Sequence, residues 1–180
     1  MYFQVEEAAN ELISILRGEQ LDRIDGGFYP IGRCAMYREM TALYDPDSLL
    51  ASFKDHTAVY PEELRQKVIS HHFALLDDLE DFERALIRKD VLFYHFALDQ
   101  ALDSFLQVLF ALNQKFFPSR KRSLQCIEKF ENKPEDCCQR LLEAVRTGGS
   151  EEFLQTSFEI WQALVHDLTI ISLTSGIVST

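Results

Sequence analysis

His95, Asp99 and Asp103 recur at four-residue intervals within one predicted helix. Side chains four apart stack along one helical face, so an imidazole and two carboxylates would line one side of a groove. Such a row suits a cationic or hydroxyl-rich ligand, a metal ion, or paired acid and base work. The competing reading is a solvated helix flank with a His–Asp hydrogen bond. A second group joins His71 and His72 to the acidic run Asp77, Asp78, Glu80, Asp81 and Glu83. Adjacent helical residues diverge by about 100°, so the two histidines cannot chelate one ion together, and at most one of them faces the interior. Leu79 and Phe82 interrupt the acidic run and Arg84 and Arg88 follow it, with Asp81 three residues before Arg84. That spacing predicts an ion-paired, solvated face. A third group, Arg120, Lys121 and Arg122, follows Ser119 at a predicted helix start, where free backbone N–H groups favour an anion. Cations there oppose the helix dipole unless a negative partner meets them, either a phosphate or the protein's own acidic surface.

These residues need long helices to position them, and the apolar pattern supplies them. Leu64, Val68, Phe73, Leu76, Leu79, Phe82 and Leu86 predict one helix of about 25 residues opened by Pro61. After a tight turn near Lys89–Asp90, Leu92, Phe96, Leu102, Phe105, Leu109, Leu112 and Phe116 predict a second, which Pro118 stops or kinks. So short a link makes the pair antiparallel. Ser119 is the expected cap of a short helix, Pro134 opens another that Gly148 and Gly149 close, and Ser150 with Glu151 and Glu152 starts a third long helix. Before residue 58 a strand-like run near Tyr2–Val5 leads into a helix ending at Gly18. Short helices near Cys34–Thr41 and Ser48–Lys54 then lie between the breaks "DGGFYPIGR" and "YDPDS". The expected fold is an all-α antiparallel bundle with three long helices and several short ones over 58–180, behind an irregular N-terminal arm and connector at 1–57.

Composition narrows the chemistry. The chain has 180 residues, 47% of them apolar, and carries 29 carboxylates against 18 Lys and Arg for a formal net charge of −11. A field of that sign argues against nucleic acid and anionic membrane as general partners. No apolar run reaches the roughly 20 residues of a membrane span. Cys34, Cys126, Cys137 and Cys138 form no C-x-x-C pair, and neighbours on a helix cannot share a zinc, so free thiols and a cytoplasmic location are expected. There is no phosphate-binding glycine loop, no H-E-x-x-H and no G-x-S-x-G, so neither a catalytic residue nor a metal ligand is assigned.

Two resemblances add to this. The spacings of Arg65 to His71 or His72 and of Arg88 to His95 are similar to the Arg and His that ribonucleases of the HEPN helical fold use to activate a ribose hydroxyl. More extensively, "LYDPDSLL", "YPEELRQKVISHH" and above all "LFALNQKFFPSRKRSLQCIEKF" resemble the C-terminal helical region of bacterial nucleotidyltransferase-domain proteins, whose superfamily includes the aminoglycoside and lincosamide nucleotidyltransferases. The likeness spans most of residues 43–147. It implies a HEPN-related helical domain that covers the acceptor substrate, while a separate palm domain holds magnesium and a nucleoside triphosphate. The palm's Gly-Ser motif with paired aspartates has no counterpart here, and "YFQVEEAANELISIL" resembles only the palm's last strand and following helix. The resemblance thus implies a substrate-binding half, inactive alone and without a cofactor of its own, that works with a palm in cis or in trans on a small molecule. His95, Asp99, Asp103 and Asn113 would face the substrate, and Lys115, Arg120 and Lys121 would meet an anion. An unsealed strand near Tyr2–Val5 would favour a homodimer. The remaining alternative is an interaction module docking through exposed Phe or Trp161.

Overall fold

The structure, a computed structural model, describes residues 5–24 and 29–174, and every element among them is helical. In chain order these are α1 (Val5–Leu16), α2 (Ile31–Glu39), α3 (Leu49–His56), α4 (Glu62–Leu76), α5 (Glu80–Arg88), α6 (Val91–Leu112), α7 (Ser123–Ile127), α8 (Cys137–Thr147) and α9 (Leu154–Thr174), with one 3₁₀ turn at Glu151–Phe153. The strand expected near Tyr2–Val5 falls outside the described residues except for Val5, which opens α1.

α6 is the axis of the bundle. From Asp103 to Leu112 every residue is buried, because α4, α5 and α9 all pack on it. Arg65 meets Leu112 while His72 meets Ser104, so α4 runs antiparallel to α6. Likewise Arg140 meets Asp167 while Ala144 meets Ser157, which makes α8 and α9 antiparallel. Leu12, Ile15, Ile31, Cys34 and Phe53 of the first three helices belong to the same hydrophobic core as Leu64, Phe105, Leu109, Trp161 and Leu164. Trp161, weighed above as a docking anchor, is 1% exposed and packs between Phe82 and Phe105.

Three boundaries differ from expectation. The helix foreseen from Pro61 to Arg88 is two helices, α4 and α5, broken at Asp77–Leu79. Asp78 Oδ1 accepts the Glu80 N–H at 3.2 Å, and this local side-chain bond competes with helical pairing there. The second long helix ends at Leu112, before Phe116 and Phe117 rather than at Pro118: Gln114 takes the left-handed conformation (φ 53°) and the Lys115 N–H returns to the Phe110 carbonyl at 2.9 Å. Phe116 and Phe117 remain buried, which is why their apolar period reads as helix. Finally, Ser119 does not cap the next helix. Its hydroxyl accepts the Lys121 N–H at 3.3 Å in a local turn, and α7 starts only at Ser123.

The start of α6 follows its sequence. Asp90 Oδ1 accepts the Phe93 N–H at 3.0 Å, an N-cap worth about 1 kcal/mol. Gly148, just past α8, has no room for a side chain: a Cβ there would lie 2.8 Å from Tyr94 Cε1 and 3.1 Å from Ser157 Oγ. That close approach lets Tyr94 donate to Ser157 at 2.7 Å, and Ser157 to the Ala144 carbonyl at 2.6 Å.

Candidate functional site

Asp103 is the hub of the polar chemistry. It sits on the buried stretch of α6, 4% exposed, and a carboxylate so placed must be paired to remain charged. Arg120, carried back to α6 by the chain reversal after Leu112, bonds both Asp103 and Asp99. Arg23 Nη1 reaches Asp103 Oδ2 at 3.3 Å, and the Tyr29 hydroxyl donates to the same oxygen at 3.5 Å. Four-residue spacing puts Asp99 and Asp103 on one face, as expected. Arg120 holds the Asp99 carboxyl below the usual carboxylate range, and the two carboxylates in turn raise the Arg120 guanidinium, Asp103 contributing most. Burial, followed by the charge of Asp103, pushes the Tyr29 phenol up to about 12.

Beside this hub lies a cavity of about 280 Å³ between α4, the start of α5, α6 and the arm. Asp22, Asp78 and Asp81 line it against the single guanidinium of Arg23, with Gln100 and Ser104 from α6. His72 and Tyr29 stand in its wall with ring centroids 6.0 Å apart. His72 is 2% exposed, and burial, followed by repulsion from His71, pushes its pKa down to about 3. The imidazole is therefore neutral at pH 7. Its Nδ1 lies 3.3 Å from Ser104 Oγ, so Nε2 is the nitrogen left to serve a ligand. His71 turns the other way and meets Asp22 Oδ1 at 2.9 Å, the divergence that adjacent histidines require.

The structure joins Asp99 and Asp103, but His95 stays apart from them. The His95 ring edge meets Tyr94 (centroids 6.4 Å apart), and a Cβ on Gly149 would lie 3.9 Å from its Nε2. Asn113 is a clamp: its Nδ2 donates to the carbonyls of Leu109 and Asn132, both at 2.8 Å, and its Oδ1 accepts the Asn132 N–H at 3.0 Å. Of the three expected anion contacts, Arg120 is occupied by carboxylates of its own chain. Lys121 is exposed, and Lys115 lies on a second cavity at the far end of the α4–α6 pair. Of the second group, His72 is the histidine that faces inward and Asp78 and Asp81 join it on the cavity rather than on a solvated face, while no sequence signal marks Asp22, Arg23 or Tyr29 as site residues. Asp81 does meet Arg84 at 3.6 Å, yet it also lines the cavity.

Neither Arg–His pair is joined. Arg65 donates to the Leu112 carbonyl at 3.2 Å while His71 lies on Asp22, and among the described residues no contact links Arg88 to His95. The donor set is also wrong for magnesium: Asp99 and Asp103 converge on a guanidinium, and no group of three or more His, Cys, Asp or Glu among the described residues could hold a metal ion. All four cysteines are free thiols, with Cys34 and Cys137 buried and each pushed up to about 12 by burial. No helix among the described residues is long and apolar enough to cross a membrane.

The fold and cavity define a helical-bundle protein with a pocket on its central helix pair in which three carboxylates stand among apolar side chains such as Leu75 and Phe82. The family model described as a domain of unknown function (DUF4037) matches residues 31–122, just over half of the chain, and the chain belongs to this family. The matched span runs from α2 to the chain reversal beyond α6, so it holds Asp99, Asp103 and Arg120 together with most of the cavity wall. No curated protein and no solved structure matches.

Proposed function

We propose that this chain is the substrate-binding helical domain of a nucleotidyltransferase-like protein, non-catalytic by itself, working with a catalytic palm in cis or in trans. The observation that carries the reading is the cavity at Asp22, Asp78, Asp81 and His72. Its excess of carboxylates attracts a cation, and charge-assisted hydrogen bonds to ammonium groups are the strongest polar contacts it can offer. The neutral His72 and the Gln100 amide suit hydroxyl groups, which an imidazolium would serve less well as acceptors. A hydroxyl-bearing, cationic small molecule fits both demands. The sequence resemblance to the helical half of nucleotidyltransferase-domain proteins supports the same reading. Magnesium and a nucleoside triphosphate belong to the palm in this scheme.

The test is to add the purified chain to a cognate palm domain and measure nucleotidyl transfer to a cationic aminosugar such as kanamycin, with calorimetric binding of the same aminosugar to the chain alone. Transfer should rise, and Asp78→Asn with Asp81→Asn should weaken binding about tenfold or more. A palm that neither binds the chain nor gains activity from it would sink the proposal.

A further inference from the structure

The opposite end of the α4–α6 pair carries a second cavity, of about 500 Å³, with the reverse charge. Arg65, Lys115 and Lys129 line it against the single carboxylate of Glu131, in a protein whose net charge is −11. Part of this positive charge has a structural use. The C-terminal end of α6 is a negative pole, and Arg65 donates to the Leu112 carbonyl there at 3.2 Å. Arg65 also meets Glu62 at 3.3 Å, but that carboxylate is 54% exposed, and Arg65 Nε is buried without an acceptor. Lys115 and Lys129 are different: both are exposed, and neither makes an ion pair among the described residues. Two lysines thus line one concavity beside a guanidinium, without a matching pair of carboxylates.

The backbone around them is fixed. Asn113 ties the end of α6 to Asn132 through two hydrogen bonds, Nδ2 to the Asn132 carbonyl and Oδ1 from its N–H. Gln114, with φ 53°, turns the chain so that Lys115 leaves the helix on this side. The clamp fixes the backbone from which Lys115 extends, and flexible ammonium groups on a fixed rim can close on a multiply charged oxyanion with charge-assisted hydrogen bonds.

We infer that this basic cavity binds a phosphoryl or pyrophosphoryl group, either free or as the phosphate of a small organic ester. The inference stands on the second cavity alone, independent of the substrate reading for the first.

Calorimetric titration of the whole chain at low ionic strength with inorganic phosphate, inorganic pyrophosphate and ribose 5-phosphate tests it. Pyrophosphate should bind more tightly than phosphate, and Lys115→Ala with Lys129→Ala should weaken it about tenfold or more, while Lys121→Ala, outside the cavity, leaves it unchanged. Tighter binding of ribose 5-phosphate than of phosphate would support the inference with an ester as the ligand. Equal binding of the two would support it with the free anion. Absence of binding by all three probes would overturn it, as would equal losses in Lys121→Ala and in the cavity variant. Because these lysines are exposed, circular dichroism should show the variants folded.

Discussion

The two ends of the α4–α6 pair solve opposite electrostatic problems with the same helices. At the Asp103 end a buried carboxylate draws Arg23, Arg120 and the Tyr29 hydroxyl onto itself, leaving Asp22, Asp78 and Asp81 to give the neighbouring cavity its negative character. At the Leu112 end the requirement is to satisfy the last carbonyls of α6. Arg65 and Asn113 do so, and the lysines beside them are left over. The difference teaches which charges are structural. Those that complete a buried bond, Asp103, Arg120 and Arg65, hold the bundle together, whereas Lys115 and Lys129 are free to serve a ligand, and Asp78 has a second carboxylate oxygen for one besides that on the Glu80 N–H.

Substitutions sharpen that contrast, and the largest effect belongs to Asp103. Asp103→Ala takes the buried acceptor from Arg23 and Tyr29 and leaves Arg120 with Asp99 alone, and denaturant unfolding should show a loss of about 2–3 kcal/mol. The second effect is pH dependence at His72. Unfolding releases an imidazole that binds a proton below its ordinary pKa of 6.5, whereas the folded chain resists protonation down to about 3. Stability is therefore complete above pH 6.5 and declines as the pH falls toward 3, by at most about 1.4 kcal/mol per pH unit. Asp99, whose pKa is lowered in the fold, adds its own loss only as the pH drops past its ordinary 3.8. His72→Gln should flatten the stability curve between those two pH values. At the other end, Asn113→Ala removes three hydrogen bonds of a half-buried clamp and should cost about 1–3 kcal/mol by the same measurement. The smallest effects belong to the unspent charges: Asp78→Asn and Lys115→Ala should each shift stability by less than about 0.5 kcal/mol while altering ligand affinity. A large stability loss in either would erase the distinction between the two kinds of charge.

How far the sequence foretold this depends on the range of the interaction. The all-α bundle, the long α6 after a tight turn at Lys89–Asp90 and the inward turn of only one of His71 and His72 follow from local periodicity, and each is present. The break at Asp77–Leu79 was missed because Leu79 and Phe82 keep an apolar rhythm across it, and a two-residue competition for backbone N–H groups is weak beside that signal. Phe116 and Phe117 misled in the same way, their burial counting as helix. In the site, Asp99 and Asp103 were legible because they share one helical face. Arg23, Tyr29 and Arg120 were not legible as their partners, since nothing in spacing reports a contact between residue 23 and residue 103.

The Arg23–Asp103 ion pair has a kinetic consequence. His72 and Ser104 on α4 and α6 are separated by 32 positions, whereas Arg23 and Asp103 are separated by 80. Closing the longer loop costs about 0.8 kcal/mol more chain entropy, and even the arm's nearer contact, Asp22 with His71 across 49 positions, costs about 0.4 more, so the helix pair should zip before the arm docks. The same order run backwards makes the arm the first segment to detach in native-state hydrogen exchange. Asp22 and Arg23 ride on that arm, so the acidic cavity is closed only in the last step. In a refolding experiment, helical ellipticity should return before the cavity can hold anything.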